Sequence, residues 1–156
     1  MPSRRDLIRM TAEEADAYLR GQRRIILVTI GAQGMPHPVP MNYGVDPPGR
    51  IIMTAFAKSQ KVRNLERDPR ASLLVESGED YAQLKSVMME TRVEIIREAS
   101  VVAETMKLVQ ASEAMTASLD EGMSEQVRAS IAKRVVLRFT PQRTISWDHG
   151  KLGQVY

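Results

Sequence analysis

The sequence predicts a mainly β protein: a closed or nearly closed six-stranded antiparallel β-barrel with peripheral helices. Three observations predict it. Short β-branched, apolar runs recur along the chain. Most are joined by brief Gly-, Pro- or Asp-containing turns. Helical periodicity is confined to three places, so strands and helices do not alternate as in a βαβ fold.

At 156 residues the chain reads as one domain with enough length to bury a core. Residues 1–10 read as a flexible basic arm, 11–151 as the barrel domain and 152–156 as a polar tail. No apolar run approaches the length of a membrane span, so no membrane is expected as a partner, and the default location is the cytoplasm. The chain has no cysteine, which excludes disulfides, thiolate metal sites and cysteine nucleophiles within it. Two histidines, His37 and His149, argue against a histidine-rich metal centre. A net charge of +3 fits nucleic acid, a phosphate-bearing cofactor, or no particular partner.

Taken in order, Thr11-Ala-Glu-Glu14 is a capping box that opens a helix to about Arg20, with Gly21 as the stop. Ile25 to Ile30 is almost wholly apolar and reads as a strand buried on both faces. Gly31-Ala-Gln-Gly34 makes a tight hairpin connection. Pro36-His-Pro-Val-Pro-Met-Asn-Tyr43 has proline at every second position. Alternate residues of a strand direct their backbone groups to the same lateral side, so one side loses its donors while His37, Val39 and Met41 keep theirs. The segment is either a polyproline-like loop or a strand paired on one edge with the other open beside a cleft.

Val45 to Gly49 is turn chemistry, and Arg50 to Thr54 is the next short strand. It leads into Lys58-Ser-Gln-Lys-Val-Arg63, a turn and helix start with Ser59 as the N-cap. Lys58, Lys61 and Arg63 stack cations where the helix dipole is already positive. Either the turn is merely basic and solvated, or an anion sits there on free backbone N–H groups. That helix ends at Asp68-Pro69. Ala71 to Glu76 is a strand. Ser86 to Ile96 alternates cleanly, with Val87, Met89, Thr91, Val93 and Ile95 on one face and charges on the other. Glu98 to Ala132 is helical in pattern, broken into two helices by the polar stretch from Ser112 to Gly122, with Met115 and Met123 as core filler or interface residues. Lys133 to Phe139 is a strand interrupted by Pro141 and resumed at Thr144 to Trp147.

The chain offers no Walker or Rossmann phosphate loop, no nucleophile elbow and no Ser/His/Asp constellation. Few reactive side chains point to a cofactor that carries the reaction. An anion-binding turn, an open strand edge and a lone tryptophan suit a phosphorylated planar cofactor.

The order Gln33-Gly-Met-Pro-His-Pro-Val-Pro-Met-Asn-Tyr43, Met53-Thr54, Ser59-Gln-Lys61 with Asn64-Leu65, Asp68-Pro-Arg70 and Ser146-Trp-Asp-His-Gly150 resembles the pyridoxamine 5′-phosphate oxidase-like flavin-binding split-barrel superfamily. It is most similar to the branch of flavin and deazaflavin oxidoreductases that includes users of coenzyme F-420, over about Glu13 to Lys151. The resemblance implies a split-barrel homodimer with two equivalent cofactor sites at the interface. By position, Ser59 and Lys61 hold the cofactor phosphate, with Gln60 nearby. Met53 and Thr54 approach the phosphate and ribityl chain. His37, Val39, Pro40, Met41 and Asn42 run along the ring system. Ser86 and Gln83 lie where the family contacts the ring. Trp147 of the second subunit covers the cofactor, although it also reads as a core tryptophan. Lys58 and Arg63 join the site on charge alone.

His37 and Asn42 stand where true pyridoxamine-phosphate oxidases carry basic residues, and no Arg- and His-containing clamp follows Trp147. Vitamin B6 phosphate is therefore not the expected substrate. The implied reaction is hydride transfer from reduced coenzyme F-420 to a small electron-poor acceptor. FMN on the same fold, and non-catalytic flavin or haem binding, are the alternatives. Nucleic-acid binding rests on charge alone, because the aromatics are too sparse to form stacking platforms.

Overall fold

The computed structural model describes residues 3–109 and 124–153. The strands are β1 (Arg24–Ile30), β2 (Pro36–Asn42), β3 (Gly44–Val45), β4 (Ile51–Phe56), β5 (Arg70–Ser77), β6 (Lys85–Ile96) and β7 (Arg134–Asp148). They form one antiparallel sheet in the order β2-β1-β5-β6-β7-β4-β3, curled around a core. The seventh strand, beyond the six expected, is the two-residue β3, paired with Ile51 and Ile52.

Alternation makes the barrel. Leu27, Leu73, Val75, Val87, Met89, Leu137 and Phe139 point inward and are all but inaccessible to water. Burial of such a side chain contributes about 1.5–3 kcal/mol. β1 corrects one expectation. Ile25, Leu27 and Thr29 are buried, but Ile26, Val28 and Ile30 are only half-buried on the outward face. An unbroken apolar run hides this difference, because both faces of β1 carry similar residues.

β2 is an edge strand, as the proline spacing demands. Pro36, Pro38 and Pro40 lie opposite Ile30, Val28 and Ile26 and are exposed. Proline has no N–H, so the donors that β2 gives to β1 come from His37, Val39 and Met41. These three side chains are half-buried and face inward.

Helix α1 (Arg4–Leu7) is a single turn closed by a capping box between Ser3 and Asp6. The expected arm is therefore not free along its described length. The Asp148 N–H donates to the Ile8 carbonyl (2.7 Å), the Met10 N–H donates to Ser146 Oγ (3.1 Å), and Met10 is buried. Helix α2 (Ala12–Gly21) opens on the expected box: the Glu14 N–H donates to Thr11 Oγ1 (3.1 Å), and the Thr11 N–H donates to Glu14 Oε2 (2.7 Å). Helix α3 (Gln60–Arg67) follows β4. Helices α4 (Ala99–Val109) and α5 (Glu125–Ala132) pack Val102, Met106 and Ile131 on Ile96 and Val136 as a second small core. The expected break at Ser112 to Gly122, with Met115 and Met123, lies outside the described residues.

β7 is one continuous strand rather than two. Pro141 is accommodated at a bulge, where Thr91 pairs with Pro141 but Glu90 pairs with Arg143. Pairing between β4 and β7 runs only from Arg134 to Phe139. Among the described residues no helix is long and apolar enough to cross a membrane.

Candidate functional site

β4 ends at Phe56, and the chain turns through Ala57 to Ser59 into α3. Ser59 occupies the N-cap position, but its hydroxyl does not cap the helix. Ser59 Oγ and the Ser59 N–H both donate to the Phe56 carbonyl, at 2.7 and 3.0 Å. The hydroxyl closes the turn and leaves the first N–H groups of α3 without a side-chain acceptor. The first turn of α3 contains no acidic residue. Lys58 and Arg63 are exposed, and Lys61 is half-buried. Burial pushes the Lys61 ammonium below its ordinary pKa, and no carboxylate among the described residues pairs with it. A half-buried cation beside uncapped helix N–H groups is a donor-only set. It fits a phosphate dianion.

Gln60 is exposed, and its amide is turned along the helix. Gln60 Nε2 donates to Asn64 Oδ1 (2.8 Å), and Asn64 Nδ2 donates to Thr29 Oγ1 (2.9 Å). Arg67 donates to the same Asn64 oxygen (3.2 Å) and to the Ile30 carbonyl (2.7 Å). Thr29 is the register partner of His37 across β1 and β2, so the two side chains share the inward face. A polar line thus runs from the start of α3 to His37. His37 Nδ1 is itself buried and has no hydrogen-bond partner among the described residues. Sequence reasoning assigns Asn64 and Thr29 no role. The available signal is polarity out of place: an asparagine between Val62 and Leu65 on the apolar side of α3, and a threonine in an otherwise apolar strand.

The other expected site residues divide. Val39 and Met41 face inward beside His37, whereas Pro40 and Asn42 are exposed on the opposite face of β2. Met53 is fully buried in the core, which leaves only its backbone to meet a ligand, and Thr54 is half-buried beside it. Ser86 is buried, and its hydroxyl donates to the Val75 carbonyl (2.8 Å). Gln83 is exposed in the 3-10 turn Tyr81–Gln83. Trp147 is half-buried opposite Ser86 near the end of β7. Met53 pairs with Leu137 on the same strand, so Trp147 lies about 30 Å further along at the usual rise of a strand. Trp147 and its partner Ser86 thus stand at the end of β7 away from the turn that leads into α3.

A curled antiparallel barrel, open along one proline-lined edge beside an uncapped helix start, is the architecture of the flavin-binding split-barrel class. The chain belongs to the pyridoxamine 5′-phosphate oxidase family, whose model matches residues 11–148. A conserved hypothetical protein of Mycobacterium tuberculosis is 34% identical, with a TM-score of 0.82 over 99% of this chain and 95% of that one. An F-420 reductase structure superposes with a TM-score of 0.59 at 20% identity, over 83% of this chain and 94% of that one, a likeness of fold. Among curated proteins, the 5a,11a-dehydrotetracycline/5a,11a-dehydrooxytetracycline reductase of Streptomyces rimosus is 37% identical over 62 residues. That match spans 38% of this chain and 44% of the reductase, less than half of its length.

Proposed function

We propose that this protein is an oxidoreductase that holds a flavin-type cofactor by its phosphate at the start of α3, and that the cofactor is coenzyme F-420. The observation that carries this reading is Lys61, a partly desolvated cation with no carboxylate partner among the described residues, set beside helix N–H groups that Ser59 leaves uncapped. The reductase relatives support redox chemistry. Such a cofactor supplies two-electron hydride transfer: an electron-poor acceptor gains a hydride and a proton from water, and the reduced cofactor is left oxidised.

The residues of this chain bind and orient. Lys61 and the first N–H groups of α3 take the phosphate, with Lys58 and Arg63 adding a long-range positive field. The Gln60–Asn64–Thr29 line fixes that helix start against β1. His37, Val39 and Met41 form one wall beside the ligand's ring system, and the two apolar side chains exclude water there.

The site is completed by a second copy. On the outward face, Pro40, Ile26, Leu74, Met88 and Ile145 stand side by side across five strands. Such an apolar stripe suits a two-fold homodimer, which would carry Trp147 of one protomer to the cofactor of the other.

FMN on the same site is the second reading, since the donors at α3 read only a phosphate. Parallel fluorescence titration of the apo-protein with coenzyme F-420 and with FMN tests both. Micromolar or tighter binding of F-420 with weak FMN binding supports the first reading. The reverse moves the protein to FMN chemistry. Binding of neither overturns the proposal and makes haem the next ligand to try.

A further inference from the structure

β4 leaves β7 at Phe139, and from there to Asp148 β7 has only β6 beside it among the described residues. The N-terminal segment crosses this freed edge, tied to it by the Ile8 and Met10 backbone bonds. A cavity of about 490 Å³ opens between the segment, the start of α2 and β7. Arg5, Arg9 and Arg143 are among the residues that line it, and no acidic residue is among them. Met10, Ala15 and Ile145 give it an apolar wall.

Arg9 and Arg143 have carboxylates outside the lining, Asp6 at 3.0 Å and Glu90 at 3.3 Å. Both pairs are exposed, and such pairs hold weakly enough to be exchanged for a ligand. Arg5 has no ion pair among the described residues. The Glu14 carboxylate closes the capping box of α2 and is also paired with Lys151.

We propose that this cavity binds a small organic anion with an apolar body, one or two carboxylates on a hydrocarbon or aromatic frame. Arginine suits that class because its planar fork takes a carboxylate with two parallel hydrogen bonds. Ile145 both lines the cavity and ends the apolar stripe, and it shares a face with Trp147 two residues on. The cavity thus opens at the rim of the proposed dimer interface, next to the residue that covers the cofactor. On the oxidoreductase reading, on which this assignment of role rests, the bound anion is the hydride acceptor.

The test is calorimetric titration of the full apo-protein with trans-cinnamate and with its uncharged counterpart, cinnamamide. Cinnamate should bind at least tenfold more tightly than cinnamamide. Arg143→Gln, and separately Arg5→Gln, should weaken cinnamate five- to tenfold and leave cinnamamide unchanged, while Lys61→Ala should affect neither. Equal affinity for the two probes, no cinnamate binding, or indifference to both arginine substitutions would overturn the proposal. The cofactor titration separates the two ideas. Cinnamate binding without cofactor binding upholds the cavity and removes the redox role; cofactor binding without discrimination between the probes does the reverse.

Discussion

Asn64 Nδ2 donates to Thr29 Oγ1 across 2.9 Å, with both residues fully buried. This bond ties the helix that starts at the proposed phosphate site to the strand beside His37. Thr29→Val keeps the shape and removes the acceptor. It should destabilise the protein by about 1–3 kcal/mol, the cost of leaving a buried donor unsatisfied. Cofactor affinity should fall as well, because the start of α3 loses its anchor. Urea melts of the apo-protein and a parallel cofactor titration measure the two effects.

Lys61→Ala should weaken cofactor binding by about 1.5–3 kcal/mol, the scale of a hydrogen bond to a charged group. Apo-protein stability should hold or rise slightly, since a partly desolvated charge is removed. The pH dependence has a definite sign. Burial lowers the Lys61 pKa in the free protein, and a bound phosphate raises it again. Affinity is therefore full below the free-protein pKa and declines as pH rises from that value towards the pKa of the complex. In Lys61→Ala this alkaline decline should disappear from the titrations.

His37→Leu should act oppositely on the two properties. It removes a buried nitrogen that has no partner among the described residues, so the apo-protein should gain thermal stability or keep it. Cofactor binding should weaken several-fold. Loss of stability with unchanged affinity would make His37 a packing residue.

Tyr43 is buried, with its hydroxyl donating to the Leu19 carbonyl, and burial pushes its pKa well above the ordinary tyrosine value. The contribution of Tyr43 is complete below the unfolded tyrosine pKa, near 10. It is lost as pH rises from there towards the folded value. Tyr43→Phe should cost about 0.5–1.5 kcal/mol at neutral pH through the lost hydrogen bond. It should also flatten the alkaline limb of a stability–pH profile measured by denaturant melts.

Met88→Arg places a charge in the middle of the outward apolar stripe, on a half-buried residue that is not part of the main core. On the proposed homodimer, sedimentation should show dimer for the unaltered protein and monomer for the variant, and cofactor affinity should drop with it. A variant that stays dimeric would move the interface elsewhere.

Much of the architecture is legible in the residues. The strict alternation of Val87, Met89 and Thr91 sets the inner face of β6, and three prolines at every second position mark β2 as an edge. The Thr11–Glu14 box starts α2 where it should. The same kind of box at Ser3–Asp6 is also in the sequence, but a short basic N-terminus draws attention away from it. Hydroxyls are harder to read. Ser59 and Ser86 both stand where a ligand-binding serine belongs, yet each spends its proton on a nearby carbonyl, and that choice depends on tertiary neighbours. The distance between Trp147 and Lys61 is a property of strand register, which no local pattern encodes.

The alternating prolines of β2 have a further consequence. A sheet edge normally offers its free N–H groups to any passing strand, and proteins must guard such edges against polymerisation. Here the outer rim lacks those groups at Pro36, Pro38 and Pro40. The chain can keep a long open border without inviting another strand to extend the sheet.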